Sequence, residues 1–433
     1  MSRSRELLQG PIARGAITSI VTRMISIGIL FGQAVLTARL LGPEGYGTLA
    51  FGLSVATVAA TVATLGLGKL AVRQIAFLQV RGDPQTLAKF LGSALSSTLV
   101  SAIVVSALIA VTFLGSDIVD DDIRAVSVLS AILVTPIAVL LFLRGVSQGH
   151  QNVLLSQGPI DVLRPALVSL VILAMLASGR QFGPISVLLA SATVLLLVAL
   201  STFLMMKSKG LIGWPGKVEV SDIRLALPFA GLSILAILQI ELNTILLASL
   251  AGAEAAGLYQ PIARIAPLIL IGVQAVGMRY APRIAACHSR GDNEQLRKLT
   301  RYFTVATTVV TAVLGILIAG SGPILLLVFG KAFVTSASFL WLVVAAQVFS
   351  AACGPVAILL TMTGATKTAL AGQFVALLVH LLVGFLLIPD MGVAGAVWAL
   401  VAGIAASNLF LYAAVRSQLR FDPSVLQFMV RQK

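Results

Sequence analysis

Three arginines fall where lipid should exclude them. Arg23, Arg164 and Arg264 each lie inside a long apolar stretch. A charge near the centre of a bilayer costs about 3 kcal/mol on insertion scales, so each must face protein or water. Their polar neighbours recur at helical spacing. Ser19, Arg23, Ser26, Gln33 and Thr37 are separated by 4, 3, 7 and 4 positions, which places them on one helix face. Gln260, Arg264 and Gln274 form a comparable stripe, and Gln157, Asp161 and Arg164 repeat the spacings of 4 and 3. Gln239, Glu241 and Asn243 cluster in a further stretch. Guanidinium groups in a hydrated interior are suited to holding an anion through paired N–H donors. Arg23, Arg164 and Arg264, with Gln33, Gln260 and Asn243, are therefore the candidate substrate-binding residues of a cavity. Glu241 and Asp161 are the titratable candidates for coupling to an ion, H+ or Na+. Three buried cations against two buried carboxylates leave a positive excess that a purely structural network would avoid, although Asp161 lies one turn from Arg164 and could neutralise it.

The competing reading is that such residues only knit helices together. It suits the milder face of Ser54, Thr57, Thr61 and Thr64, and the small-residue stripes Gly28/Gly32 and Gly395/Ala399/Gly403, which read as contact surfaces. His380 reads as a packed polar residue rather than a proton relay.

The elements that must position these groups follow from composition. The chain has 433 residues, 58% of them hydrophobic and 11% charged, with a mean hydropathy of +1.02. A soluble protein of that length needs more charge to cover its surface, so lipid is the solvent for most of the chain. Twelve apolar stretches are expected to be membrane helices, near 15–38, 46–67, 90–114, 125–143, 155–178, 183–206, 225–250, 257–278, 302–320, 333–361, 368–389 and 392–415. The N-terminal Arg3, Arg5 and Arg14 before an apolar run resemble a signal peptide, but eleven further stretches follow, so the first is read as an uncleaved span.

Basic residues test this topology. With both termini cytoplasmic, 23 of the 30 Lys and Arg fall on the cytoplasmic side, four on the other and three inside spans. The net charge of +14 is thus spent on orienting helices, not on a nucleic-acid groove. Cys287 and Cys353 have no metal-ligand spacing, and no Gly-rich phosphate loop for ATP is present. No outward loop is long enough for a soluble catalytic domain, so the chain is expected to be no enzyme and to hold no metal or cofactor.

The halves repeat. Residues 38–49 (ARLLGPEGYGTL) align without a gap on 248–259 (ASLAGAEAAGLY) with five identities. At the same offset Lys69, Ala71, Arg73 and Ala76 meet Arg279, Ala281, Arg283 and Ala286. The expected architecture is an all-α polytopic membrane protein, about twelve helices in two six-helix lobes (1–207 and 222–433) around a central cavity, joined by a cytoplasmic linker at 208–221.

The segment ARLLGPEGYG (Ala38 to Gly47), supported by GLGKLAVRQIA (Gly66 to Ala76) and RGVSQGHQN (Arg144 to Asn152), resembles the oligosaccharide flippases of the polysaccharide transporter family. That family is a branch of the multidrug/oligosaccharidyl-lipid/polysaccharide exporter superfamily and includes the O-antigen (Wzx-type) flippases. LGPEGYG itself reads as a structural turn, with Glu44 a cap for the following helix. The resemblance implies transport of an undecaprenyl-pyrophosphate-linked oligosaccharide across a bacterial inner membrane by alternating access, in the service of lipopolysaccharide, O-antigen or exopolysaccharide synthesis. Polysaccharide polymerases and glycosyltransferases are the protein partners it implies. The family's cationic cavity does not carry over by motif, because the three arginines lie outside the matched segments. Two alternatives remain. A drug/cation antiporter of the same superfamily would want a net anionic cavity. A membrane polymerase or ligase acting on lipid-linked glycan would want catalytic groups at the outer face.

Overall fold

The computed structural model describes residues 11–115 and 121–428, and among them every regular element is a helix. Arg3 and Arg5 of the N-terminal basic cluster lie outside these residues. Among the described residues ten helices are long and apolar enough to cross a bilayer, and a pair bent by 40°, Phe339–Ala352 with Val356–Met362, makes an eleventh. All twelve expected stretches are helical. The count differs because the first two share one element, α1 (Pro11–Ala63), broken by non-helical angles at Gly42 (φ 67°). The break at Gly42 divides its 53 residues into two helical stretches, one on each side of the glycine.

The chain divides into two compact units, Met1–Glu241 and Leu242–Lys433. The division falls inside a helix, not in the stretch 208–221 where the sequence suggests a linker. That stretch is fastened to the first unit instead. The Gly216 N–H donates to the Gly92 carbonyl at 3.0 Å, Ser96 Oγ to the Gly216 carbonyl at 2.6 Å, and Ser93 Oγ to Asp222 at 2.8 Å. Pro215 and Gly216 break the helix, but the backbone they expose is bound by neighbouring polar groups.

In the first unit α1 is followed by a short amphipathic helix α2 (Leu67–Arg81), then α3 (Pro84–Leu114), α4 (Asp121–Gly149), α5 (Val153–Ala177) and α6 (Pro184–Ser208). The long helix α7 (Val220–Leu250) carries the boundary. The second unit continues with α8 (Gly252–Ile269), α9 (Ile271–Ser289), α10 (Asn293–Gly320), α11 (Gly322–Phe329), the bent pair α12 (Phe339–Ala352) and α13 (Val356–Met362), and the hairpin α14 (Thr366–Met391) and α15 (Val393–Leu419).

The duplication is visible in the backbone. Gly42 and its repeat partner Gly252 both take positive φ, 67° and 87°, a region that costs a side chain strain. A second correspondence escapes the constant offset. Arg81-Gly82-Asp83 and Arg290-Gly291-Asp292 both close an amphipathic helix on a left-handed glycine and open the next on an aspartate cap. Asp83 accepts from the Thr86 N–H at 3.0 Å and Asp292 from the Gln295 N–H at 2.9 Å.

Packing is tightest where glycines permit it. Gly395 lies against the Leu387 carbonyl and Gly403 against the Ala376 carbonyl, closing the α14–α15 hairpin as its small-residue stripe suggests. Gly28 and Gly32 do not behave this way: among the described residues nothing lies within 4 Å of where a Cβ would stand. The outer faces stay apolar, as Ile103, Leu108 and Val111 on α3 illustrate, each more than half exposed. In water such a band would be a liability; against lipid it is the expected surface.

Candidate functional site

Two polar sites are built into the described residues, one in each unit, and they differ in kind. The first forms where α1 turns into α2. Leu65 (φ 51°) and Gly66 (φ 75°) reverse the chain after Thr64, and Gly66 packs so closely on α7 that a Cβ would stand 2.6 Å from the Ala226 carbonyl oxygen. Helix α2 then lies along α4. A Cβ on Gly145 would collide with the Gly68 carbonyl, and one on Gly149 would meet Ile75. Further along, Gln79 Nε2 lies 3.0 Å from His150 Nδ1. The segments GLGKLAVRQIA and RGVSQGHQN, distant in sequence, are thus zipped together.

Beside this seam lies a cavity of about 320 Å³. Its polar lining is Thr61, Thr64, Lys69, Arg144, Gln148 and Ser233. Leu141, Ala236, Ile237 and Ile240 supply the apolar lining. Thr61 and Thr64 are buried and donate to the carbonyls of Thr57 and Thr61, so their protons are spoken for. Arg144 holds Asp161 in a two-pronged ion pair, Nη1–Oδ1 at 3.2 Å and Nη2–Oδ2 at 3.0 Å. Lys69 has no carboxylate partner among the described residues, and its partial burial lowers its pKa from the ordinary lysine value. Asp161 sits in a π-helical turn, Gly158–Leu163, inside α5, and such turns are frequent at functional sites.

The second site is neutral and buried. His380 on α14 lies 2.6 Å from Asn243 Oδ1 on α7, and Asn243 Nδ2 donates to Tyr259 Oη on α8 at 2.8 Å. Because an amide oxygen only accepts, His380 carries its proton on Nε2 in this arrangement. One residue on, Gln260 Nε2 donates to Thr244 Oγ1 at 2.9 Å. None of the five is more than 6% exposed. Each side chain thus answers another across three helices, which is how polar groups survive burial.

The residues singled out by sequence distribute unevenly over these sites. Asn243 and Gln260 are in the buried network, with their hydrogen-bonding groups turned on neighbours. Arg23 and Arg264 are exposed on α1 and α8, and neither forms an ion pair among the described residues. Arg164 and Gln33 are half-buried. Glu241 accepts from the buried Ser54 hydroxyl at 2.7 Å. Asp161, which Arg164 looks placed to neutralise, is gripped by Arg144 from the neighbouring α4. His380 is a packed polar residue, as expected, though one that bonds to a predicted site residue.

Participants outside the predicted set include Lys69, Arg144, Thr244, Tyr259 and His380. Lys69 and Arg144 lie in the basic segments that the sequence assigns to orienting the helices, so their charge is legible but their shared cavity is not. A signal existed in Gly68, Gly145 and Gly149, glycines at the helix contact that brings the two segments together.

A family model described as "polysaccharide biosynthesis protein" matches residues 12–288, well over half of the chain. Among solved structures, the chain is similar to an inward-facing multidrug resistance MATE family transporter of the MOP superfamily. Identity is 14%, coverage 95% of this chain and 100% of that one, and the TM-score 0.68. It is similar to the lipid II flippase MurJ in its inward closed conformation at 12% identity, covering 92% and 87%, with a TM-score of 0.69. A MOP superfamily transporter from Pyrococcus furiosus, whose binding pocket is described as of reverse polarity, matches at 14% identity over 96% and 97%, with a TM-score of 0.56. No curated protein matches in sequence. At these identities the structural likenesses establish a shared multi-pass membrane fold.

Proposed function

The chain belongs to the polysaccharide biosynthesis protein family, and from that premise we propose that it is a flippase. Its cargo is an oligosaccharide linked to undecaprenyl pyrophosphate, carried from the cytoplasmic to the outer leaflet of a bacterial inner membrane with both termini inside. One observation carries the reading: the spans retain arginines in excess of unpaired carboxylates. Asp161 is neutralised by Arg144, which leaves Glu241, hydrogen-bonded to Ser54, as the unpaired carboxylate against Arg23 and Arg264, neither of which forms an ion pair among the described residues. A positive interior suits a pyrophosphate headgroup, which cannot cross hydrocarbon unaided. It does not suit a cationic drug, which counts against the antiporter alternative. A polymerase or ligase would need catalytic groups at the outer face, and the sequence offers no outward loop to carry them.

In this reading Arg23, Arg164 and Arg264 line the path with Gln33, and Asn243 and Gln260 hold the helices behind it. Alternating access between the two sides of the membrane is the proposed mode of transport. Glu241 and Asp161 remain the proposed carboxylates for H+ or Na+ coupling, and glycosyltransferases and a polymerase the partners on either side of the step.

Arg23 offers the test. In cells that depend on this chain for surface glycan, Arg23→Glu is expected to abolish display at normal membrane levels, and Arg23→Lys to retain part of it. Normal display from well-inserted Arg23→Glu protein would refute the assignment. Lower abundance in every variant, with display per molecule unchanged, would instead make Arg23 structural.

A further inference from the structure

The cavity beside α2 combines charge with apolar surface. It is lined by Lys69 of α2, by Arg144 and Gln148 of α4, and by Ser233, Ala236, Ile237 and Ile240 of α7, and Ile240 is 68% exposed. At about 320 Å³ the space is at the small end of ligand pockets. It is large enough for a compact headgroup and the start of a chain, not for a sugar polymer.

We propose that this cavity is a docking site for the phosphoryl headgroup of a lipid, with Lys69 and Arg144 holding the phosphate oxygens and Ile237 and Ile240 bordering the first part of the lipid chain. Three features support it. Arg144 is already neutralised by Asp161, so Lys69 supplies the net charge, and a bound anion would favour the protonated amine that partial burial disfavours. Arg144 is held by Asp161 in a fixed orientation, with guanidinium donors left over, because five N–H groups exceed what one carboxylate accepts. Gly66 and Gly68 at the start of α2 also line the cavity, and neither has a side chain to crowd it. The site is separate from Arg23, Arg164 and Arg264. It would hold the headgroup before or after the crossing rather than during it.

The identity of the lipid rests on the flippase reading; the phosphate site does not. The test uses the purified full chain in nanodiscs, titrated with undecaprenyl pyrophosphate in one arm and phosphatidylglycerol in the other, with binding read by native mass spectrometry. The variants are Lys69→Glu, Lys69→Arg, and the charge-balanced pair Arg144→Gln/Asp161→Asn, which removes the guanidinium without stranding a carboxylate. Lys69→Glu should lose at least tenfold in affinity, Lys69→Arg should stay within a few-fold, and the balanced pair should fall between them. Loss confined to the prenyl arm supports both site and flippase. Loss confined to phosphatidylglycerol, without prenyl binding by any variant, supports the site and refutes the cargo. Prenyl pyrophosphate binding unchanged in folded Lys69→Glu leaves the cargo standing and overturns the site. Should Lys69→Glu fail to fold, the balanced pair decides by the same criterion.

Discussion

The two halves begin from the same turn and put opposite chemistry behind it. Gly42 and Gly252 share positive φ, and the residues flanking them align at an offset of 210. Around the second turn, Asn243, Thr244, Tyr259 and Gln260 make a buried, uncharged network with His380. Their first-half counterparts are Gln33, Ala34, Leu49 and Ala50. Three of these are apolar and buried, and Leu49 belongs to the apolar core. The first unit places its polarity elsewhere, as the charged, half-exposed group of Lys69, Arg144 and Asp161. The Arg144–Asp161 side chains are 32% and 27% exposed. Backbone geometry has survived duplication while the polar groups have been redistributed, so the halves cannot be doing the same work. A charged, partly open site can meet a ligand; a neutral, satisfied one can set the helix arrangement.

The largest expected effect breaks the seam that forms the charged site. Gly145→Ala drives a Cβ into the Gly68 carbonyl, and backbone cannot yield as a side-chain tip can. A destabilisation of about 1–3 kcal/mol or more is expected, read as a lower thermal midpoint in detergent. Gly28→Ala, with nothing within 4 Å, should be neutral or gain about 0.5–1 kcal/mol in a helix interior. Equal losses in both would mean that α2 and α4 do not pack as described.

Next is the neutral site. Asn243→Ala leaves His380 without its acceptor and Tyr259 without its donor, and a buried polar group left unpaired costs about 1–3 kcal/mol. Its repeat partner is only half-buried, so Gln33→Ala should cost less than about 0.5 kcal/mol. If Gln33→Ala proved the more damaging, the contrast between the halves would be reversed.

The smallest effect sharpens the distinction by its salt dependence. Arg144→Gln strands Asp161 at a partly exposed position, so a loss of about 1 kcal/mol is expected. Adding Asp161→Asn should restore most of it in a double-mutant cycle. The coupling should shrink as ionic strength rises, because salt screens charges but not neutral hydrogen bonds; the Asn243→Ala loss should not move.

The fold was largely legible because lipid imposes a simple rule: backbone must satisfy itself, so long apolar runs become helices. The turn at Gly42 was legible as a duplicated glycine, and its positive φ separates the two helices expected on either side of it. The candidate residues were legible as polar groups at depth, but their partners were not. Spacing along one helix placed Asp161 one turn from Arg164; that the neighbouring helix α4 brings Arg144 to the same carboxylate could not be read, because periodicity within a helix carries no information about the helix next to it. The cavity was hidden for a related reason. Lys69 and Arg144 have the composition of orienting charges, and only the contact of Gly68 with Gly145 reveals that they face one space.

The central claim is that this chain moves a pyrophosphate-linked lipid oligosaccharide between leaflets. Proteoliposomes containing the purified chain and a fluorescent undecaprenyl-pyrophosphate oligosaccharide, with a membrane-impermeant quencher outside, measure that movement directly. The account predicts that wild-type protein exposes the inner-leaflet pool to the quencher many times faster than empty liposomes, and that Arg23→Glu does not. Inner-leaflet fluorescence that stays protected in wild-type vesicles, under imposed H+ and Na+ gradients of either direction, would contradict it.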